Sequence, residues 1–250
     1  MNLLAFDTST DTLSIAVARS HDDTVWAHSG PGGAQASATL IPTVLRLLAE
    51  AGLDFAQLDA IAFGRGPGSF TGLRTACAVA QGLAFGAHGA GAIPVLPIDT
   101  LAAVAEEARH QYGCTQVLAT LDARMNEVYS ARYQWHNGRW HGDDDFGLCA
   151  PEAVQAPQGW AVVGNAHAVY GPRLAPGALH LHALPTAGAL LRLAPGLIAA
   201  GLAVPAAEAL PRYIRDKVAK TTAERDAERA AQNTLIAPPA TAQPLQPLQP

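Results

Sequence analysis

The sequence predicts an α/β protein, a mixed sheet with helices packed on its faces. Three observations lead there. Leu13, Ile15 and Val17 alternate with Ser14, Ala16 and Ala18, the period of two that belongs to a β-strand. Residues 37–51 carry a broad apolar helical pattern. A glycine-rich loop at residues 64–70 then separates a short apolar run from a second helical stretch. Strands and helices that alternate in this way pack in layers around one core.

Taken in order, residues 2–7 form a short apolar run that ends in the polar cluster Asp7-Thr8-Ser9-Thr10-Asp11. The alternating run around Leu13 follows. Residues 24–28 make a third strand after the turn at Asp22-Asp23, so the chain opens as an antiparallel meander. In the helix at 37–51 the apolar positions Leu40, Ile41, Val44, Leu45, Leu47, Leu48 and Ala51 exceed the stripe of roughly 100° that a surface helix needs. It therefore packs on two sides, either within its own domain or against a second chain. Residues 58–63 form the next strand, 71–85 the second helix, 93–98 a strand and 100–112 the third helix.

The second half begins similarly. Residues 116–121 and 127–135 read as strands, and His136-Asn137-Gly138 is a hairpin signal leading to a strand at 139–141. Residues 151–154 open a short helix, 160–163 form a strand, and 186–201 are helical despite Pro195. This half reads as a degenerate second copy of the first, with the boundary at residues 98–100. Residues 205–215 read as an extended terminal segment. Residues 216–232 are charged, and residues 237–250 repeat Pro, Gln, Leu, Ala and Thr, a composition that favours disordered chain.

Charged residues make up only 15% of the 250, against about 25% in an average chain. Hydrophobic residues reach 49%, too many for a disordered protein. The net charge of −5 argues against this chain gripping tRNA, DNA or an anionic membrane by itself. Cys77, Cys114 and Cys149 form no CxxC pair, so reduced thiols are expected rather than disulfides or a thiolate metal site. No signal-peptide pattern stands at residues 1–6, and Arg192 and Pro195 interrupt the longest apolar stretch, residues 187–204. A cytoplasmic protein is expected.

The sharpest feature is the loop Gly64-Arg65-Gly66-Pro67-Gly68-Ser69-Phe70. Its glycines permit close backbone approach, and Ser69 or Thr71 can cap the helix that follows. Two readings stand side by side: a phosphate site at a helix N-terminus, or a tight turn delivering a helix onto a sheet. The spacing matches neither Walker A nor the dinucleotide fingerprint. The helix after the loop is rich in small residues, Gly72, Ala76, Cys77, Ala78, Ala80, Gly82 and Ala84, which suits close docking of another helix; Gly82 in particular suggests crowding. Asp7-Thr8-Ser9-Thr10 offers either a magnesium–nucleotide contact or a polar turn. Nine histidines include no HxxxH or HExxH motif, and neither His180/His182 nor His136/His141 has a third ligand nearby, so no metal site is expected. No Gly-x-Ser-x-Gly elbow is present. Asp122, Arg124 and Glu127 form either an ion pair or the edge of a site.

Three stretches together resemble one family: residues 3–10 (LLAFDTST), 64–74 (GRGPGSFTGLR) and 121–129 (LDARMNEVY) are similar to the TsaB, or YeaZ, family, and PRYIR at 211–215 resembles its C-terminal segment. The resemblance runs from the first strand to about Arg215. It implies an actin-like (ASKHA, ribonuclease H-like) two-lobe fold with lobes at 1–99 and 100–217 and a tail at 218–250.

The resemblance further implies a non-catalytic subunit in N6-threonylcarbamoyladenosine formation in tRNA. It would dimerise with a TsaD-type paralogue that carries out the transfer, joined by a TsaE-type ATPase, with homodimers in isolation and tRNA met only through the complex. ATP and metal would sit in the partner subunits, leaving this chain with no catalytic, metal or confident cofactor residues; Asp7, Thr8, Ser9 and Thr10 are the weak nucleotide candidates. The family's inter-subunit helices map to residues 37–51 and 71–85. The expected interface is Leu40, Val44, Leu47, Leu48, Ala51, Thr71, Gly72, Thr75, Ala76, Val79, Ala80 and Leu83, with Gly64, Arg65, Gly66, Pro67, Gly68 and Ser69 as a structural loop. Ser37-Ala38 stands where the family often has His. An actin-like ATP-binding enzyme and a metallopeptidase-like protein are the alternatives.

Overall fold

Two mixed sheets carry the fold in the computed structural model, which describes residues 1–20, 24–87, 93–143 and 145–215. In the first, β1 (Leu3–Asp7), β2 (Thr12–Ala18) and β3 (Val25–Pro31) form the expected antiparallel meander. β4 (Ala60–Gly66) and β5 (Val95–Asp99) extend it in parallel on the far side of β1, giving the order β3-β2-β1-β4-β5. In the second, β6 (Gln116–Asp122), β7 (Val128–His136) and β8 (Arg139–Gly142) are antiparallel neighbours, and β9 (Gly147–Cys149) pairs with β7. β10 (Ala161–Gly164) and β11 (Leu179–Leu181) add in parallel beyond β6, for the order β11-β10-β6-β7-β8. Read outward from β1 or from β6, the two sheets have one topology. The second half is the degenerate copy that the sequence suggests.

Local chemistry explains the elements. Leu4 and Phe6 of β1 face one way and Leu3 and Ala5 the other; all four are buried, because helices cover both faces of this sheet. α1 (Ala36–Ala51) stops at Gly52 and α3 (Thr100–Tyr112) at Gly113, each in the left-handed conformation that closes a helix. Ser69 caps α2 (Phe70–Gly86) and Thr186 caps α5 (Ala187–Ala199). Asn137 and Gly138 both take positive φ in the β7–β8 turn, as the hairpin signal requires.

α1 and α2 cover one face of the first sheet, with Leu40, Val44, Leu47, Ala76 and Ala80 against Leu4, Phe6, Ile15 and Ile61. The short α4 (Ala166–Tyr170), which sequence periodicity does not reveal, takes part in the corresponding layer of the second. The last helix of each half crosses over. α3 follows β5, yet Leu101, Val104, Ala105 and Ala108 pack with Val117, Ala119 and Val163 of the second sheet. α5 follows β11, yet Ala187, Leu190, Leu191 and Ala194 pack with Leu3, Ala5, Ala62 and Leu96 of the first. A boundary at residue 99 therefore does not partition the packing, and residues 1–214 form one compact unit; the boundary expected at 217 lies outside the described residues. Each sheet buries two apolar faces and its own half supplies the cover for only one.

A buried polar network joins the crossing helices. Arg192 of α5 donates to Glu106 at 2.9 Å and to Glu107 at 2.7 Å, both on α3. Glu106 also accepts from Arg109 and from Trp140 Nε1, and Glu107 from Thr186 at 2.6 Å.

Residues 205–214 are extended apart from one 3-10 turn, Ala206–Glu208. They return to the first sheet. Val204 bridges Val95, the Ala209 carbonyl accepts from Gln81 at 3.0 Å, and Arg212 N donates to the Arg65 carbonyl at 2.7 Å. The expected tail at 218–250 lies outside the described residues. Among the described residues no helix is long and apolar enough to cross a membrane.

Candidate functional site

The two motifs offered as a nucleotide site, Asp7–Thr10 and the glycine loop, meet at the carboxyl ends of β1 and β4. They meet by interlocking. The Thr8 hydroxyl donates to the Gly72 carbonyl at 2.7 Å, and Ser69 N donates to the Ser9 carbonyl at 2.7 Å. A Cβ on Gly72 would overlap the Thr8 carbonyl, one on Gly68 the Ser9 carbonyl, and one on Gly64 the Asp7 carboxylate. Gly66, at φ 121°, lies under the Arg212 carbonyl. The glycines are thus required by the chain's own close packing. Of the two readings of the loop, this geometry is that of a tight turn, and the Ser69 amide is already engaged.

Asp7 sits at the centre of this junction and is fully buried. Its Oδ1 accepts from Ser9 N at 2.8 Å and from Ser9 Oγ at 2.6 Å. Its Oδ2 has no hydrogen-bond partner and faces Gly64. Burial pushes the carboxyl up to about 6, against the lowering effect of the two Ser9 hydrogen bonds. Thr8, Ser9 and Thr10 are buried beside it. Arg65, at the edge of the loop, holds Asp99 through two bonds of 2.6 and 3.1 Å.

The helix pair offered as a partner interface needs a correction. Leu40, Val44, Leu47, Leu48 and Ala51 of α1, and Gly72, Ala76 and Ala80 of α2, are buried in the chain's own core. They face the sheet and are not the side chains that a second chain meets. Thr71 is exposed, and Thr75, Val79 and Leu83 are half-buried. The outward face also carries Ile41 (42% exposed), Leu45 (51%) and Phe85 (63%). Ile41 and Leu45 lie one residue beyond Leu40 and Val44; the excess width of the apolar pattern was their signal. Gly82 has open space where a Cβ would stand, so this chain does not crowd it.

The third motif forms the β6–β7 turn. Arg124, Met125 and Asn126 all have positive φ, 60°, 55° and 60°. Arg124 pairs with Asp11 at 2.8 Å and with Asp122 at 3.3 Å. The Tyr170 hydroxyl donates to Asp122 at 2.7 Å; burial and that carboxylate push the phenol up to about 12. Arg124 and Asp122 are thus ion-paired at the turn. Elsewhere, the His136 and His141 rings stack at 3.8 Å, and His167 stacks on His180 at 3.9 Å. Among the described residues no three His, Cys, Asp or Glu side chains cluster as a metal site would, and all three cysteines are free.

Comparison with known proteins places these features in a family. A family model described as TsaD, tRNA N6-adenosine threonylcarbamoyltransferase, matches residues 31–234. The tRNA threonylcarbamoyladenosine biosynthesis protein TsaB of Escherichia coli (strain K12) is 37% identical over 229 residues, covering 88% of this chain and 96% of that protein. The protein of the same name from Haemophilus influenzae is 46% identical over 131 residues, 52% of each chain. Among solved structures, YeaZ from Pseudomonas aeruginosa superposes with a TM-score of 0.77 at 39% identity, covering 85% of this chain and 99% of that one.

Proposed function

From the premise that this chain belongs to the TsaB (YeaZ) family, with its actin-like two-lobe fold, we propose that it serves the formation of N6-threonylcarbamoyladenosine in tRNA as a non-catalytic scaffold. It docks a TsaD-type paralogue on the outward faces of α1 and α2, and a TsaE-type ATPase joins the assembly. ATP and metal act in those partner subunits, and tRNA is met through the complex.

One observation carries the non-catalytic reading. Between its first hairpin and its glycine loop this chain seats its own backbone, with the Thr8 and Ser9 carbonyls filling the space above Gly72 and Gly68. The buried, unpartnered Oδ2 of Asp7 faces Gly64, whose lack of a side chain makes the space for it.

The docking reading rests on Ile41, Leu45 and Phe85, apolar side chains that the chain leaves exposed, with the half-buried Val79 at the edge of its core. A stable interface buries about 1,200–2,000 Å² in total, and two helices of four turns can supply a partner's share. The test is reconstitution of the modification with purified paralogue, ATPase and tRNA, with and without this chain. Wild type is expected to be required, and Leu45→Glu with Val79→Glu to abolish both co-purification and modification. Full activity without the chain, or undiminished co-purification of the double variant, would sink the proposal. Calorimetry with ATP and magnesium on the isolated chain tests the enzymatic alternative, and no binding is expected.

A further inference from the structure

α2 contains a single charged residue, Arg74, and the fold holds it in a set position. Its guanidinium carbon lies 3.9 Å from the centre of the Phe70 ring, one helical turn earlier. Its Nε donates to the Tyr213 hydroxyl at 3.1 Å, and the Tyr213 ring packs on Phe70 at a tilt of 38° with centroids 5.2 Å apart. Two stretches 139 residues apart in sequence are used to aim this one side chain. The plane and direction of the guanidinium are therefore fixed before any partner arrives. Its two terminal nitrogens make no hydrogen bond or ion pair with the described residues, and the side chain is exposed.

The surroundings sharpen this. On α1 the charges cancel, because Arg46 pairs with Glu50 at 2.6 Å. The nearby guanidiniums of Arg65 and Arg212 both engage Asp99. Arg74 is thus the one charged group of α2, oriented and without an acidic partner among the described residues. Covering such a group without an acceptor is costly, whereas a carboxylate meets the free edge of a guanidinium through two parallel hydrogen bonds. A polyanion would be read by several cations; the exposed neighbours on this helix, Thr71, Ala78 and Gly82, are small and uncharged.

We propose that Arg74, preset by Phe70 and Tyr213, anchors this chain to a carboxylate side chain on the protein partner that covers the α2 face. The inference rests on the docking reading above and adds the chemistry of the contact. It also gives the returning C-terminal segment a role, since Tyr213 holds the anchor in place.

The test is the affinity of the full-length chain for the purified TsaD-type paralogue, by calorimetry at fixed salt. Arg74→Ala is expected to weaken binding about tenfold or more, and Arg74→Glu further. Arg74→Lys, which keeps the charge but not the fork, and Tyr213→Phe, which keeps the ring but not the acceptor, are expected to fall between Arg74→Ala and wild type. Thermal midpoints of the Arg74 variants should match wild type, and an acidic-to-Arg change on the partner should restore binding to Arg74→Glu. If Leu45→Glu abolishes binding while Arg74→Ala and Arg74→Glu bind within twofold of wild type, the anchor is wrong and the docking face stands. If Leu45→Glu also binds normally, both fall. If Arg74→Ala instead lowers only tRNA retention by the isolated chain, the guanidinium reads phosphate, and if it changes only self-association in sedimentation, the occupant is a second copy; either result overturns the proposal.

Discussion

Thr8 and Gly72 hold each other across the junction of the first strand and the second helix: the Thr8 hydroxyl donates to the Gly72 carbonyl at 2.7 Å, and the Thr8 carbonyl fills the space a Cβ on Gly72 would need. Gly72→Ala forces backbone against backbone. A cost of about 3 kcal/mol, the upper end for overpacking, is expected in urea unfolding. At Gly82, which is open, the same substitution should stabilise by up to about 1 kcal/mol.

Asp7 makes stability depend on pH. Its folded carboxyl titrates near 6, above its unfolded value of 3.8, because burial disfavours the charge. A raised value means the contribution is complete below pH 3.8 and is lost as pH rises through 6. For a rise of this size the loss is on the order of 3 kcal/mol. The unfolding free energy of Asp7→Asn, minus that of wild type, should therefore rise between pH 3.8 and about 6 and level off above. A flat difference across that range would show that the carboxyl titrates normally.

The network between α3 and α5 has the opposite sign. Burial alone would raise the Glu106 carboxyl, but hydrogen bonds from Arg109, Trp140 and Arg192 outweigh it and hold the group below its ordinary value. Its contribution is present above pH 4.5 and lost as pH falls below that. Glu106→Ala leaves Arg192 with one carboxylate fewer and Trp140 without its acceptor. A loss of about 3 kcal/mol is expected at neutral pH from chemical denaturation, shrinking as the solution is acidified.

Leu48 and Leu45, three positions apart on α1, should respond differently. Leu48 is buried and Leu45 is half in solvent. Leu48→Ala should cost about 2–5 kcal/mol, and Leu45→Ala no more than about 0.5 kcal/mol. Equal losses would mean that the inward and outward faces have been assigned wrongly.

Much of the fold was legible because the signals are local. Alternation at Leu13, Ile15 and Val17, the Asn137-Gly138 turn and the cap at Ser69 act within a few residues of themselves. Short elements were not legible: α4 and β11 span five and three residues, too few for a period to show. The inward and outward residues of α1 and α2 were not separable for a related reason. Apolar character marks Val44 and its neighbour Leu45 alike, and the two differ only in which way the helix turns them. Part of the low charge content lies in the core. Ala5, Ala16, Ala60, Ala62, Ala187, Ala189 and Ala194 lie together between the first sheet and α5, so much of the small apolar composition serves the chain's own core.

What the sequence determined by itself was the class of fold, the order of its larger elements, and the family marked by residues 3–10, 64–74 and 121–129, because hydrophobic period, turn chemistry and motif identity are properties of contiguous residues. Only the tertiary structure decided that the last helix of each half covers the other half's sheet, that the glycine loop is closed by Thr8 and Ser9, and that Tyr213 returns to aim Arg74. Those relations join residues tens to more than a hundred positions apart, and burial and close approach between such residues exist only once the chain has packed.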